Sequence, residues 1–268
     1  MRKKLLILGA GGYVGGVLYK LCSKDEKLEV YGTYNLKSND TELIQLNVMD
    51  TEKTNNVINK IKPDIIIWSL ASKKEEVRLA EIGLSNLLNK NPGTRFIYIS
   101  TTFTSDSNQK EDYIPKTLSG NEYLADYVNG KILGEQMVRT LKNHVIIRTG
   151  QIFGFDVDGN PDIRMKRLLT QLNKDDVYYR TANNRISVIH VHDLADCILE
   201  LCFNSFIGTI NISSKKSLSH FSFYKLLAEM LNIDDKFIVA DNSANPQDAF
   251  LDVSTCSSML KTKIKDFS

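Results

Sequence analysis

The sequence predicts a doubly wound α/β fold, in which a parallel sheet is covered by helices on both faces. Three observations predict it: short runs that are apolar throughout, amphipathic stretches between these runs, and a glycine-rich segment after the first run. Strands that are buried on both faces lack the polar alternation of half-exposed strands, and the helical stretches supply the crossovers that parallel strands need. We therefore expect the first half of the chain to build one sheet.

The elements of this sheet follow one another along the chain. Apolar runs predict strands at 5–8, 28–34, 43–48 (the weakest), 64–68, 95–100 and 144–148. Apolar residues at helical spacing predict helices at 14–21, 51–61, 75–88 and 123–141. Pro63 ends the second helix and the segment 91–93 (NPG) ends the third. Because sites in such sheets lie beyond the carboxyl ends of the strands, Gly9, Ala71 and Ser100 should share one crevice.

The second half of the chain has a looser pattern. Residues 150–185 are polar and irregular apart from a helical stretch at 165–172. Further strands are expected at 186–191 and 209–212, and further helices at 193–203 and 221–231, before a weakly patterned tail from 234. We predict a Rossmann-type domain over 1–150, to which 186–212 returns. A smaller C-terminal lobe over 151–185 and 213–268 should close over the crevice.

The composition excludes several classes of protein. With 34 Lys and Arg against 32 Asp and Glu, the net charge of +2 gives no electrostatic reason for a nucleic-acid or membrane partner. The apolar run after Met1 stops at Gly9, too early for a signal peptide, and no run has membrane-spanning length. The four cysteines form no C-x-x-C pair, and Cys22 and Cys197 fit helix cores. We expect a cytoplasmic protein without a metal.

The segment 9–15 (GAGGYVG) follows the first strand and opens the first helix. Glycine at these positions lets a pyrophosphate approach the backbone, and the helix N-terminus adds unpaired N–H groups and a positive dipole end. An ordinary strand-to-helix turn also uses glycine, but the position at the start of a sheet favours a dinucleotide. Cofactor contacts are expected from Gly9, Gly11, Gly12, Tyr13, Val14 and Gly15.

The end of the second strand bears on the choice of cofactor. The stretch 32–35 (GTYN) lacks the carboxylate that usually binds the ribose 2′-hydroxyl, and Lys37 follows. A cation and hydroxyls suit a 2′-phosphate better than a carboxylate would. We therefore favour NADPH over NADH, with contacts from Thr33, Asn35 and Lys37, although Lys37 also fits an ordinary solvated loop.

Tyr127 and Lys131 lie four residues apart on the long predicted helix and so share one face. An ammonium beside a phenol favours the phenolate, and such a tyrosine can give a proton to a carbonyl oxygen. One such pair is expected by chance, with Lys131 exposed and turned away from Tyr127. The position after the fifth strand, which ends in the hydroxyls of residues 100–102 (STT), favours a functional pair.

Together these features resemble the extended short-chain dehydrogenase/reductase superfamily, and most closely its dTDP-4-dehydrorhamnose reductase group. The resemblance runs over nearly the whole chain and is strongest up to Gly154. It is carried by 46–50 (LNVMD), 62–67 (KPDIII), 97–103 (IYISTTF), 127–135 (YVNGKILGE), 147–149 (IRT), 191–195 (VHDLA) and 251–252 (LD). The departures are Thr102-Phe103, where the group has Asp-Tyr, and residues 70–74 (LASKK).

The resemblance implies roles for individual residues. Thr101 matches the catalytic hydroxyl, Tyr127 the proton donor, and Lys131 its partner, which also holds the nicotinamide ribose. Cofactor contacts extend to Asn47, Leu70, Ala71, Ser72 and Ser100.

Substrate contacts are expected from Thr102, Arg148 and Arg185, although Arg148 also fits a structural role. The cations of Arg164, Lys166 and Arg185 are candidates for a substrate diphosphate, and each also fits a solvated surface. His190 and His192 are expected to pack or to form hydrogen bonds rather than to bind metal.

The function that follows is reduction of a nucleotide-linked 4-keto-6-deoxy sugar by NAD(P)H, in a possible homodimer. Two alternatives stay open. One is an epimerase or dehydratase with tightly bound NAD, and the other is a non-catalytic NADP-binding regulatory protein of the same fold. If the chain is the reductase, the smaller lobe would bind the substrate.

Overall fold

A computed structural model describes residues 1–36, 40–88, 93–103, 108–172, 177–243, 245 and 248–267. Its main feature is a seven-stranded sheet in the order β10-β6-β5-β4-β1-β2-β3. The strands of this sheet are β1 (Lys3–Leu8), β2 (Leu28–Tyr34), β3 (Ile44–Gln45), β4 (Ile65–Trp68), β5 (Arg95–Ile99), β6 (His144–Thr149) and β10 (Gly208–Ile212). From β3 to β6 each neighbouring pair is parallel. The predicted doubly wound α/β fold is confirmed.

The described chain forms two compact units. The first contains 1–101, 112–148 and 198–210, and the second contains 102–111, 149–197 and 211–268. In the first unit β1, β4 and β5 are buried along nearly their whole length, as their continuous apolar runs predicted. One core cluster of this unit joins these strands to the helices beside them, with Trp68 and Tyr98 among its largest side chains.

The helices beside the sheet follow the sequence pattern closely, with one exception. They include α1 (Tyr13–Cys22), α2 (Thr51–Ile61), α5 (Ala125–Val138) and α7 (Val191–Phe203). The helix predicted over 75–88 is present, but it is not one regular α-helix. It is instead a short α3 (Glu76–Arg78), a π-helical segment (Leu79–Leu84) and α4 (Ser85–Leu88). Cys22 and Cys197 are fully buried, as predicted.

The second unit has its own core and two small parallel sheets. One sheet pairs β7 (Gln151–Phe153) with β9 (Val188–His190), and the other pairs β8 (Tyr178–Thr181) with β11 (Ile238–Asp241). The helices α6 (Ile163–Leu172), α8 (His220–Met230) and α9 (Ser254–Met259) complete the unit. The segment 150–185, which was expected to be irregular apart from its helix, contains β7 and β8, so this expectation was wrong there. The weakly patterned tail contains β11 and α9. None of the helices in the described ranges is long and apolar enough to cross a bilayer.

Helix α5 packs very closely on β5 because it carries glycine at the contact. A Cβ added to Gly134 would lie 2.2 Å from the hydroxyl oxygen of Tyr98 and 2.6 Å from its Cζ. Tyr98 is itself buried among the core side chains and has little room to move. A side chain at position 134 would therefore push α5 away from the sheet.

We predict that Gly134→Ala lowers the free energy of unfolding by about 1–3 kcal/mol, the usual cost of overpacking, despite the better helix propensity of alanine. The measurement is the urea midpoint of the purified variant. Gly120→Ala is the control, because an added Cβ there meets nothing within 4 Å. Equal midpoints for the two variants would contradict the close packing of α5.

Candidate active site

The glycine loop between β1 and α1 is held in a shape that only glycine allows. Gly9 has a φ of +93°, and a Cβ on Gly15 would lie 2.0 Å from the carbonyl oxygen of Gly9. Thr33, at the end of β2, supports the loop from the side of the sheet. Its Oγ1 accepts a hydrogen bond from Gly9 N at 3.2 Å, and its carbonyl accepts one from Gly11 N at 3.2 Å. Thr33 therefore fixes the backbone of the loop.

The N-terminus of α1 offers the features of an anion site. Its cap residue, Gly12, provides no side-chain hydrogen bond, and the first turn contains no acidic residue. Gly11 and Gly12 are exposed, so no side chain covers this end of the helix. The backbone N–H groups of the first turn and the positive end of the dipole fit a pyrophosphate group of a dinucleotide.

Among the polar residues expected to contact a cofactor, Asn35 and Asn47 are exposed, whereas Thr33 is buried. Asn35 follows β2, and its carbonyl accepts a hydrogen bond from Gln45 Nε2 at 3.3 Å. The Oδ1 of Asn47 accepts one from Met49 N at 3.0 Å and thereby shapes the turn before α2. Lys37 lies outside the described residues.

Lys131 lies inside the protein beside Tyr127. Its side chain is 2% exposed, and its Nζ lies 5.8 Å from the centre of the Tyr127 ring. Nζ pairs with Glu76 Oε1 at 2.9 Å and donates to the carbonyls of Leu70 at 3.0 Å and Ile99 at 3.1 Å. The alternative of an exposed Lys131 that points away from Tyr127 is therefore wrong. Tyr127 itself is half-buried.

The charge of Lys131 is stabilised by its neighbours. Burial disfavours the ammonium, but the face of the Tyr98 ring, whose centre lies 5.1 Å away, and the Glu76 carboxylate outweigh this effect and raise the pKa of Lys131 above its ordinary value. Burial raises the pKa of the Tyr98 phenol, so this phenol stays protonated beside the ammonium. The site therefore contains a permanent positive charge near Tyr127.

A second buried ion pair lies one turn further along α5. Glu135 accepts hydrogen bonds from Arg148 Nε at 2.9 Å and from Arg148 Nη2 at 2.7 Å, and also from Ser100 Oγ at 2.7 Å. Arg148 is fully buried, and its Nη1 donates to the carbonyl of Tyr113. These contacts give Arg148 the structural role that the sequence had left open beside substrate binding.

The three hydroxyls after β5 have different surroundings. Ser100 is buried and donates its hydrogen to Glu135, so its hydroxyl belongs to the core. Thr102 Oγ1 donates to the carbonyl of Thr149 at 2.9 Å. Thr101 is half-buried and directly follows Ser100 in the first unit. Thr101 stays the candidate for the catalytic hydroxyl, and a substrate contact by Thr102 stays a prediction.

In the loop after β4, the carbonyl oxygen of Leu70 accepts the hydrogen bond from Lys131 Nζ that is described above. Ala71 is exposed and Ser72 is half-buried. Ser69, which the sequence did not single out, donates its hydroxyl to the carbonyl of Leu8 at 2.7 Å and would collide with any side chain at Gly15. The glycine loop and the end of β4 are therefore in direct contact.

In the second unit the predicted cations differ in their surroundings. Arg185 Nε donates to Ser217 Oγ at 2.7 Å, Arg164 Nη1 donates to the carbonyl of Ile152 at 2.7 Å, and Lys166 is exposed. Their role with a diphosphate stays a prediction.

Among the aromatic contacts of this unit, the guanidinium of Arg180 stacks at 3.4 Å on the ring of Tyr178. His190 and His192 stack on each other, and His190 also meets the edge of Phe153, so both pack as predicted.

Sequence reasoning missed Glu76, Arg180 and the roles of Ser69 and Glu135. Glu135 lies within the YVNGKILGE segment, so the family resemblance included this residue but gave it no role. Nothing local distinguishes Glu76 from its exposed neighbour Glu75. Only the folded contacts show which of the two carboxylates reaches Lys131.

Comparison with known proteins places this chain in a family. The sequence matches the family model described as the RmlD substrate binding domain over residues 3–267. No curated protein matches the sequence significantly.

Several solved structures have the same fold. A dTDP-4-dehydrorhamnose reductase from Bacillus anthracis str. Ames, in complex with NADP, has a TM-score of 0.79 and 21% identity, covering 99% of this chain and 95% of that one. A hypothetical dTDP-4-dehydrorhamnose reductase from Sulfolobus tokodaii has a TM-score of 0.80 and 24% identity, covering 100% and 98%. The Bordetella bronchiseptica enzyme WbmH, in complex with NAD+, has a TM-score of 0.81 and 18% identity, covering 99% and 94%.

We predict that Arg148→Met lowers the free energy of unfolding by about 3–5 kcal/mol, because it leaves the Glu135 carboxylate buried without its main partner. Arg139→Met is a matched control, since Arg139 Nη2 donates to the same carboxylate at 3.2 Å but its side chain is 43% exposed. An exposed pair of this kind contributes at most about 1 kcal/mol. Denaturant unfolding of both variants measures the difference, and similar losses would contradict the structural role of Arg148.

Proposed function

The chain belongs to the RmlD substrate binding domain family, and from this premise we propose that it is an oxidoreductase that uses NAD(P)H to reduce a nucleotide-linked 4-keto-6-deoxy sugar. The first unit would bind the dinucleotide, and the second would serve as the substrate lobe. The single observation that carries the proposal is the buried ammonium of Lys131 beside the half-buried phenol of Tyr127, in the same unit as the glycine loop.

A nicotinamide cofactor fits the residues at the glycine loop. The uncapped N-terminus of α1 and the exposed backbone of Gly11 and Gly12 would hold the pyrophosphate. Two of the similar structures contain NADP and NAD+, which supports a nicotinamide dinucleotide. We favour NADPH, because the end of β2 is Tyr34-Asn35 and offers no carboxylate to the ribose 2′-hydroxyl.

The reaction divides between the cofactor and the protein. A bound dihydronicotinamide would supply a hydride to C4 of the sugar. Tyr127 would give its phenolic proton to the oxygen on that carbon, and Thr101 would orient the same oxygen by hydrogen bonding. Lys131 would stabilise the negative charge that remains on Tyr127 after the proton has left, because its own positive charge is permanent and close.

We predict that Tyr127→Phe lowers turnover at least about a hundredfold, the lower limit of what a positioned proton donor contributes. The assay follows loss of nicotinamide absorbance with dTDP-, UDP- and GDP-linked 4-keto-6-deoxy sugars, each with NADPH and with NADH. Tyr123→Phe is the control, because Tyr123 is 84% exposed and lies just before α5.

The same assay separates the alternatives. Full turnover by the folded Tyr127→Phe protein would refute the assignment of Tyr127. Copurified NAD+ without net consumption of NADPH would favour an epimerase or dehydratase instead. NADPH binding without turnover on the whole panel would favour a regulatory protein.

We predict that Gly12→Val weakens binding of NADPH at least about tenfold, because a branched side chain at the N-terminus of α1 obstructs the approach of a pyrophosphate. The extended backbone of Gly12, with φ −95° and ψ 173°, suits a β-branched residue. An added Cβ would lie 3.2 Å from the carbonyl oxygen of Gly9, so circular dichroism is used to check that the variant folds. Titration of NADPH fluorescence measures the affinity. Gly93→Val, where an added Cβ meets nothing within 4 Å, should bind like the parent, and unchanged binding by Gly12→Val would place the pyrophosphate elsewhere.

A further inference from the structure

Arg180 in the second unit lies against two tyrosine rings. Its guanidinium carbon is 3.4 Å from the centre of the Tyr178 ring and 4.4 Å from the centre of the Tyr224 ring. Tyr178 and Arg180 are two residues apart on β8 and so face the same side of that strand, whereas Tyr224 belongs to α8. A guanidinium stacked in this way keeps its N–H groups in its own plane, where they can bind another group.

Arg180 is only partly satisfied by its neighbours. Its Nη1 donates to the carbonyl of Tyr179 at 2.9 Å. Its Nε is buried and has no hydrogen-bond partner in the described parts of the chain. Burial lowers the pKa of Arg180, and the nearby phenol of Tyr224 offsets only part of this effect. The positive charge is thus partly removed from water without full compensation.

Two further basic side chains lie near Arg180. His220 begins α8 one turn before Tyr224, so these two residues share a face of the helix. Arg164 lies in the first turn of α6, and its Nη1 donates to the carbonyl of Ile152 at 2.7 Å. Burial lowers the pKa of His220, and the charges of Arg180 and Arg164 lower it further. Both guanidinium groups are therefore within electrostatic range of the same imidazole.

The nearest carboxylate along the chain does not balance these charges. Asp162, just before α6, accepts hydrogen bonds from the backbone N–H groups of Gly154, Arg164 and Met165. Neither α6 nor α8 has an acidic residue in its first turn. Within the described ranges, no ion pair involves Arg164 or Arg180. Basic groups that converge without a matching negative charge are suited to bind an anion.

We propose that Arg180, Arg164 and His220 form an anion site in the second unit that binds a diphosphate, with the two arginines as its main donors. Arg180 comes from β8 and Arg164 from α6, so each guanidinium can pair with one phosphate group, whereas a single carboxylate would occupy only one of them. That this diphosphate is the one in the nucleotide-linked substrate rests on the proposed function.

The site goes beyond what the family resemblance implies. None of the segments that carry the resemblance contains its three residues. Of the cations that the sequence suggested for a diphosphate, Arg164 belongs to the site, whereas Lys166 on the same helix is exposed. Arg180 was not among those cations, because nothing in the local sequence marks a single charged residue on a strand of mixed exposure.

The first test measures diphosphate binding without catalysis. Pyrophosphate and dTDP-, UDP- and GDP-glucose, which carry no keto group to reduce, are titrated calorimetrically into protein saturated with NADP+. We expect Arg180→Met to weaken binding of pyrophosphate and of the preferred nucleotide sugar at least about tenfold, because a charge-assisted hydrogen bond is lost. Arg167→Met is the control, since Arg167 is exposed on α6 and its variant should bind like the parent.

Two outcomes of this titration would overturn the inference. One is a parent protein that binds none of the probes, and the other is a folded Arg180→Met protein that binds them as the parent does. Circular dichroism and an unchanged affinity for NADPH show that each variant has folded. If Arg180→Met does not fold, Arg164→Gln decides in its place with the same expected loss, because Arg164 lies on a different element.

The second test separates the phosphates from the base and from a free anion. If the tyrosine rings held a base by stacking, Arg180→Met would weaken nucleotide-sugar binding and leave pyrophosphate binding unchanged, which would overturn the inference. We expect similar losses for both probes, and we expect pyrophosphate to compete with the nucleotide sugar in the parent. Pyrophosphate that binds through Arg180 without competing would be a separate ligand, and the assignment to the substrate would be wrong.

The site and the proposed function can fail separately. In the reductase assay Arg180→Met should raise KM for the sugar at least about tenfold with little change in kcat, because a diphosphate contact is the same before and during the reaction. A parent that reduces no sugar of the panel, yet binds a nucleotide sugar through Arg180, would overturn the proposed function and leave the site. A parent that reduces a sugar, with an unchanged KM in Arg180→Met, would do the reverse.

Discussion

The close approach of α5 to its neighbours is the constraint on which the pairing of the buried charges depends. Gly130 and Gly134 lie one turn apart on this helix, and each meets an atom that a side chain would displace. With α5 this near, Lys131 reaches Glu76, and Glu135 reaches Arg148. If the helix moved outward, these charges would be buried without partners, which costs far more than the packing itself. The absence of two side chains thus makes the electrostatics of the site possible.

The sequence predicted those elements that carry a strong local signal. The bounds of β2 and α2 agree with the expectation residue by residue, since apolar runs and the stop at Pro63 are local signals. The strands that were missed have mixed exposure. In β8, Tyr178–Thr181, none of the residues is fully buried, and the strand pairs with a single partner, β11. Such a pairing depends on contacts between distant segments, which composition along one strand does not reveal.

The same difference between local signals and contacts of distant segments applies to the candidate active site. The glycines of residues 9–15 and the Tyr-x-x-x-Lys pair each lie within a short stretch of sequence, so both patterns can be recognised from the sequence alone. The partner of Lys131 cannot, because Glu75 and Glu76 are chemically identical neighbours. The turn after β4 and the meeting of two backbones at Gly130 decide that Glu76 is buried and that Glu75 faces solvent. A single sequence holds no signal of that choice.

Two buried ion pairs lie in the interior of the first unit. Lys131 faces Glu76, and Arg148 faces Glu135, with Ser100 and backbone carbonyls completing the hydrogen bonds. Because these side chains are buried and paired, moving any one of them would leave its partner charged and buried without compensation. Tyr127 lies beside this arrangement, is half-buried, and has the ammonium as its near charge. The buried pairs therefore fix the ammonium beside Tyr127, and in the proposed reaction this fixed charge would act on the phenol that gives up its proton.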